Sequence, residues 1–387
     1  MATLHARIVF AIVFVILCGR AFSLTFGGTS KFSEELDEHR RRLNAFVDTA
    51  DSTVPFILYR PPARAGLANR LVSLVSAFSL ALATKRVFIV DTTSGVQYAL
   101  SKLYTARQPA LFVDLKVARG IIRNIDRTKS TRDGPLDGRR WPFWSHVSCS
   151  PNLHIALPKR VAISSTQFWL PLIRYNPHYQ EIFKEWFGTE SVFGLLYTAL
   201  LDPTPEIQVQ IDAFRTENFN EHNIAIQIRR SEKEFVKADS DRWFWACARH
   251  IAQDYDPSSV TFFLATDTDA VKQAAPHKLA PYKVVFREDP YSRTSGRGIV
   301  AALIDLHLLG DCDEMVATTY SSFGAIAAAR TGVVPHVVTK ASTCVRMLRS
   351  EPVFHYWRDY TRQAATCMDM DSPDIAPYML NNWNPKW

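Results

Sequence analysis

Cysteine is scarce, at 6 in 387 residues, and no two cysteines form a C-x-x-C pair or a Cys/His cluster with zinc spacing. That argues against a structural metal and against a small disulfide-stapled fold. Glycine is sparse too, at 15, and no internal repeat or low-complexity tract is present, which excludes collagen-like and disordered chains. No apolar run reaches the ~20 residues that cross a bilayer. No N-x-Ser/Thr sequon occurs, so N-glycosylation is not expected. The charge excess is small, with 45 Lys+Arg against 38 Asp+Glu, a net +7. A nucleic acid, an anionic membrane surface and a small acidic substrate all remain open on that figure alone.

What is present fits a well-filled globular chain: 47% hydrophobic and 12% aromatic residues, over about twice a typical domain length. Two lobes are therefore expected. Arginine outnumbers lysine roughly two to one, a bias toward gripping carboxylates or phosphates.

The N-terminus, MATLHARIVFAIVFVILCGRAFSL, places Arg7 before an apolar run from Ile8 to Cys18 and Arg20 after it. About 11 apolar residues is signal-peptide length. Residues 1–24 are expected to be a signal peptide or signal-anchor, giving a secretory-pathway address or secretion. Without Arg7 and Arg20 the charge is about +5, too small and scattered for a polyanion groove. An oxidising lumen makes disulfides available to the five remaining cysteines. Cys344 and Cys367, close in sequence, are the expected pair, and Cys312, at an apolar helix end, is expected as a buried thiol.

Residues 25–52 read as a polar stem with a short helix capped by Ser33. Phe56–Tyr59 reads as a strand, Asn69–Ala83 as a helix and Val87–Val90 as a strand ending at Asp91. This β-loop-α-β unit, with glycine in its first loop, is the mark of a parallel α/β sheet. Residues 92–160 read as insertion loops, and 178–201 as helical. A second α/β series follows: strands at 224–228, 260–265, 284–286 and 314–317, with helices at 299–309 and 322–330. The expected organisation is an N-terminal lobe at 53–210, a hinge near 202–222, a C-terminal lobe at 222–345 and a tail at 346–387 that packs back.

Three loops at strand ends could carry chemistry, because ligands of open α/β sheets collect there. Gly66-Leu67-Ala68-Asn69-Arg70 opens a helix, a natural anion site, although an ordinary Asn-capped turn explains it too. Arg229-Arg230-Ser231-Glu232-Lys233 follows an apolar strand, and arginine forks grip a diphosphate at two points. Thr318-Thr319-Tyr320-Ser321-Ser322-Phe323-Gly324 lies between a strand and a helix, where hydroxyls and N–H groups could hold phosphate oxygens or a serine could simply cap. Asp267-Thr268-Asp269 has the look of a metal pair but opens a helix, where capping is simpler. His307 reads as packed. Asp305, a carboxylate inside IVAALIDLHLL, needs a hydrogen-bonding partner.

Taken in order, these segments resemble the fucosyltransferases that use GDP-fucose. AGLANRLVSLVSAFSLALATKRVFIVD, IAIQIRR, VATTYSSFGAIAAARTG and VRMLRSEPVFH are similar to the signatures of the plant xyloglucan fucosyltransferase family. RRSEK, FFLATDTDAVKQ and IDLHLLGDCDEMVATTYSSFG also resemble segments of the α1,6- and protein O-fucosyltransferases. The resemblance covers residues 56–91 and 222–356. It implies an α/β fold of GT-B type, two facing Rossmann-like lobes with a cleft between them. It also implies metal-independent, inverting transfer of fucose from GDP-fucose, as donor substrate rather than cofactor, to a glycan that contains galactose.

By position, Arg229 would contact the pyrophosphate with Arg230 beside it. Ser321, Ser322 and Phe323 would line the phosphate pocket, Asp305 would read the guanine, and Gly66, Asn69 and Arg70 would face the cleft. The family histidine before the arginines is Gln227 here. The glutamate base of the α1,6 branch is replaced by Lys237, leaving Glu232, Glu234 and Asp239 as neighbours, with Glu232 as the candidate. The rival readings are a protein or N-glycan-core fucosyltransferase and a catalytically silent lumenal protein that binds nucleotide sugar or glycan. Nucleic acid is not an expected partner.

Overall fold

The computed structural model describes residues 29–49, 51, 53–63, 65–92, 99–108, 111–113, 131–132, 146–188, 191–230, 241–289, 292, 295–339, 343–352 and 366–368. The leader at 1–24 lies outside them. Among the described residues no helix is long and apolar enough to cross a membrane.

Helix α1 (Ser30–Thr49) buries Phe32, Glu35, His39, Leu43 and Phe46, one stripe at a spacing of three and four. The residues expected as a polar stem thus pack one face on the first lobe. Phe32 packs on Phe187 and Phe46 on Phe56, at ring-centroid distances of 4.7 and 5.5 Å. Ser33 does not cap the helix, because the Thr29 hydroxyl accepts the Phe32 N–H at 3.4 Å, further upstream.

Next come strand β1 (Phe56–Tyr59), helix α2 (Leu67–Ala83) and strand β2 (Val87–Asp91), the expected unit with the helix starting two residues early. His39 ties α1 to β2. Its Nε2 accepts the Phe88 N–H at 3.0 Å, and its Nδ1 lies 2.7 Å from Gln108 Oε1. Only the neutral ring protonated on Nδ1 satisfies both. Burial accordingly pushes its pKa down to about 4. As pH falls from about 6.5 toward 4, the unfolded chain takes up a proton that the folded chain refuses, so stability drops. We expect the loss to reach about 3 kcal/mol by pH 4. Urea denaturation across that range should show it, and His39→Gln should flatten that part of the profile.

Strands β3 (Tyr104–Ala106), β4 (Phe112–Val113) and β5 (Thr131–Arg132), helix α3 (Leu153–Ala156) and strand β6 (Arg160–Ser164) follow. The first sheet has the order β4-β2-β1-β6-β5, all parallel. The segment expected to be insertion loops thus supplies β4 and leads into β6, which pairs directly with β1. Arg86, 1% exposed, donates to the carbonyls of Leu157 and Pro158 and seats the approach to β6. Helices α4 (Leu170–Arg174), α5 (Gln180–Phe187) and α6 (Val192–Leu200) complete the lobe. The stretch expected to be helical over 178–201 forms two helices, the first ending at Gly188, whose φ of +57° suits glycine.

The expected hinge is structured. It holds β7 (Leu201–Pro203), antiparallel to β3, and helix α7 (Pro205–Asn218). The second lobe then runs β8 (His222–Ile228), α8 (Asp241–Ala252), β9 (Val260–Thr266), α9 (Asp269–Leu279), β10 (Lys283–Val285), α10 (Gly296–Gly310), β11 (Glu314–Thr318), α11 (Ser322–Thr331), β12 (His336–Val338) and β13 (Cys344–Arg346). Its sheet order is β10-β9-β8-β11-β12-β13, parallel except for β13. Building outward from β8 first one way and then the other puts a topological switch point between β8 and β11. Ile224, Ile226 and Ile228 pack toward α8, while Ala225 joins a core that continues through α10, α11, α6 and α2 into the first sheet.

After β13 the chain returns to the first lobe. The Ser191 hydroxyl donates to the Ser350 carbonyl at 3.1 Å, and the Phe193 N–H donates to Glu351 Oε1 at 3.2 Å, at the start of α6. Burial raises the pKa of Glu351. Cys367 bonds to Cys149 and Cys344 to Cys247, with Cα–Cα distances of 5.7 Å in both pairs. The expected Cys344–Cys367 pair is therefore wrong: β13 and the returning tail end on different lobes, and closeness in sequence did not decide. Cys312 is a buried free thiol, as expected.

Candidate functional site

The switch point of the second sheet is cross-braced. Thr318, the last residue of β11, uses one hydroxyl to donate to the Gln227 carbonyl at 2.9 Å and to accept the Arg229 N–H at 3.0 Å. The Gln227 side-chain oxygen accepts the Thr318 N–H at 3.2 Å. Arg229 thus leaves β8 in a fixed direction beside the loop that leaves β11. Gly324 completes the brace, since a Cβ there would lie 2.8 Å from Gln227 Oε1.

The loop after β11 turns sharply. Tyr320 holds φ at +60°, uncommon for a residue with a side chain and a strain of order 1 kcal/mol or more. Ser321 takes the N-cap position of α11, but its side chain makes no capping hydrogen bond. Its Oγ and Thr319 Oγ1 are buried with no hydrogen-bond partner. A plain serine cap therefore does not account for this loop, and two sealed hydroxyls without partners cost free energy unless something arrives to meet them. Phe323 packs partly buried on the core, and the first N–H groups of α11 have no acceptor within their own helix.

From the first lobe, α2 points its N-terminus at the same place. The Ser322 hydroxyl donates to Asn69 Oδ1 at 2.8 Å, linking the first turns of α2 and α11. Each helix start carries a partial positive charge, so two that meet favour an anion beside them. Gly66, the N-cap of α2, has an ordinary φ of −63° and nothing within 4 Å of where a Cβ would stand. Neither strain nor packing demands glycine there. Arg70, the residue after Asn69, is 4% exposed, and burial lowers its pKa.

Arg230 is held by partners within the protein. Its N–H donates to Asp267 Oδ1 at 2.8 Å, and its guanidinium forms a two-point pair with Asp241 at the start of α8. Its fork is committed within the protein, so it steadies the loop beside Arg229. Asp267 holds that backbone and does not cap α9, whose N-cap is Thr268. Glu232, Glu234, Lys237 and Asp239 lie outside the described residues.

A recess of about 600 Å³, lined by Gln210, Arg287, Asp289, Arg297, Val300 and Ala301, opens beyond the end of β10. Asp305 sits one helical turn past Ala301. Its side chain is 26% exposed, yet Oδ1 is sealed and has no hydrogen bond, and Arg287 Nε stands 3.6 Å away, equally unbonded. Desolvation pushes the Asp305 pKa up to about 7, against the pull of Arg287 and Lys272. His307 is packed as expected, with its Nε2 3.1 Å from the Tyr197 hydroxyl and its pKa held far down by burial.

No protein-family model and no curated protein matches this sequence. Among solved structures, a mutant of Arabidopsis thaliana FUT1 in complex with GDP is similar over 87% of both chains, with a TM-score of 0.70 and 15% identity. The chain has the GT-B fold. The NodZ alpha-1,6-fucosyltransferase soaked with GDP-fucose matches at a TM-score of 0.52 and 18% identity, over 76% of this chain and 99% of that one. NodZ from Bradyrhizobium gives 0.52 and 17%, over 76% and 98%.

Sequence reasoning missed Thr318 as the brace, Tyr320 as the turn and Asp241 as the partner of Arg230. The Thr-Thr-Tyr-Ser-Ser run was a signal for the first two. Nothing in the sequence marked Asp241.

Proposed function

We propose that the chain transfers fucose from GDP-fucose to a galactose-containing glycan, with inversion and without a metal, in the Golgi lumen. The observation that carries this reading is the meeting of two helix N-termini beside Arg229, over two buried hydroxyls that lack partners. That arrangement suits a diphosphate. The fold shared with proteins bound to GDP or soaked with GDP-fucose supports it.

In this reading the bond from the fucose C1 to the β-phosphate oxygen breaks, and its electrons leave with the diphosphate. Arg229, the N–H groups of Ser322 and Phe323, and the hydroxyls of Thr319 and Ser321 take up that charge. The acceptor hydroxyl attacks the opposite face, and its proton passes to water or to Glu232. A base contributes ~10²–10⁴-fold, and oxocarbenium-like transfer rests first on the leaving group. Asn69 holds the first lobe against α11 at this point, while Gly66 leaves the approach open.

Asp305 would accept the guanine N–H donors, for which the ionised carboxylate is the binding form. With a pKa of about 7 in the free protein, GDP affinity should weaken as pH falls below 7, up to about tenfold per unit. The sign for stability is opposite: this carboxyl destabilises the free fold as pH rises from about 4 to 7. Asp305→Asn should bind GDP weakly with no such pH slope, as calorimetric titration at pH 5.5 and 8 would show.

Labelled GDP-fucose offered to an array of oligosaccharides tests the reaction. Labelled galactose-containing products are expected. Label on peptides or N-glycan cores would move the acceptor, and GDP binding without any transfer would make the chain a binder, not an enzyme.

A further inference from the structure

At the outer corner of the second lobe, far along the sheet from Arg229, α8 is fastened to the edge strand β13 by Cys247–Cys344. Strand β13 pairs with β12 through Val338↔Cys344, and His336 begins β12. The His336 ring reaches back to this corner, with Nδ1 3.8 Å from Cys344 Sγ and Nε2 3.9 Å from Glu314 Oε2. The Cys247, Cys344 and His336 ligand atoms all lie within 4.8 Å of one another. A disulfide accounts for two sulfurs side by side, but it does not call for an imidazole aimed at one of them.

A tetrahedral divalent ion accounts for all three groups. With bonds of ~2.3 Å to sulfur and ~2.0 Å to nitrogen, the S···N edge of such a site is about 3.6 Å, close to the separation already present. Metal-bound histidines present their other ring nitrogen to a carboxylate, and Glu314 stands on that side of His336, 3.9 Å off and within reach of a small shift. Cys344 is exposed, so an ion can enter and water can fill the fourth position.

We propose that Cys247, Cys344 and His336 form a binding site for one zinc-class divalent cation once a dithiol reductant has opened the disulfide. The reductant gives two electrons and two protons to the S–S bond and becomes a disulfide itself. The two thiols then release two protons as they bind the ion as thiolates. The corner thereby has two clasps for the same contact, one covalent and one metallic. Both hold α8, whose first residue, Asp241, grips Arg230 next to the candidate site.

The test uses the full chain, reduced with a phosphine, freed of reductant without air and titrated with Co²⁺. One equivalent should bind with a thiolate-to-cobalt charge-transfer band that Zn²⁺ abolishes. The oxidised protein should show neither. His336→Ala, which leaves both disulfides intact, should weaken binding at least about tenfold, as should Cys344→Ser, while Cys149→Ser should not. Wild-type-like melting of oxidised His336→Ala checks that it folds. Absence of the band in reduced wild type, or equal affinity in His336→Ala, would overturn the proposal.

Discussion

Arg229→Ala is expected to lower kcat/KM for fucose transfer by at least about 10³-fold, with the protein still folded. Removing a single donor to a developing oxyanion costs ~10²–10³-fold, and here the lost group carries a full charge. The fold should survive, because the Arg229 backbone N–H on Thr318, which helps to set this loop, is kept by alanine. Circular dichroism and melting should match the wild type. Arg229→Lys should recover part of the rate, since a point charge remains but the fork does not. By contrast, Arg230→Ala should act mainly through the loop, as its fork is already held by Asp241. Transfer by purified Arg229→Ala within a few-fold of wild type would place the diphosphate elsewhere.

Gly324→Ala is expected to cost about 10²-fold in the same assay. Its added methyl would stand 2.8 Å from Gln227 Oε1 and 3.2 Å from Ala317 Cβ. Gln227 must then swing away from the Thr318 N–H, which it accepts at 3.2 Å, or α11 must shift outward. Either movement displaces the helix-start N–H groups by several tenths of an ångström, and misplacement on that scale is expensive where charge develops. Overpacking of this kind costs ~1–3 kcal/mol of stability, so a few degrees of melting temperature should go too. Pairing Gly324→Ala with Gln227→Ala removes the shortest of these contacts, the one at 2.8 Å. If the double variant is no better than Gly324→Ala, the brace is not the reason for glycine.

Much of the second lobe was legible in the sequence because its strands are short apolar runs that end in polar loops. Ile224–Ile228, Val260–Ala265 and the 314–317 strand all stand within two residues of where periodicity put them. The β1-α2-β2 unit was equally plain. Strand β6 was not: RVAIS begins with an arginine and is short, and its place beside β1 depends on Arg86 reaching the carbonyls of Leu157 and Pro158. Helix α1 read as a stem because its charged residues outnumber its apolar ones, while its buried stripe included Glu35 and His39, paired inside the fold.

In the candidate site, residue types were readable and commitments were not. Arg229 and Arg230 are neighbours with the same side chain, and only the start of α8, folded back beside β8, commits Arg230 to Asp241. Arg70 looked as available as Asn69, one residue away. A helix turns about 100° per residue, which puts Arg70 into the lobe and Asn69 against Ser322. The cysteines show the same limit: spacing cannot foresee that α8, β12 and β13 bring Cys247, His336 and Cys344 to one corner.

Side-by-side titration of the purified protein with GDP, GMP and ADP tests the central claim most directly. With the diphosphate held at Arg229 and the start of α11, and guanine read at Asp305, GDP should bind one site. GMP, which lacks the β-phosphate, and ADP, which lacks the guanine donors, should each bind at least about tenfold more weakly, a difference of roughly 1.4 kcal/mol. Equal affinity for all three, or no binding of GDP, would contradict the account.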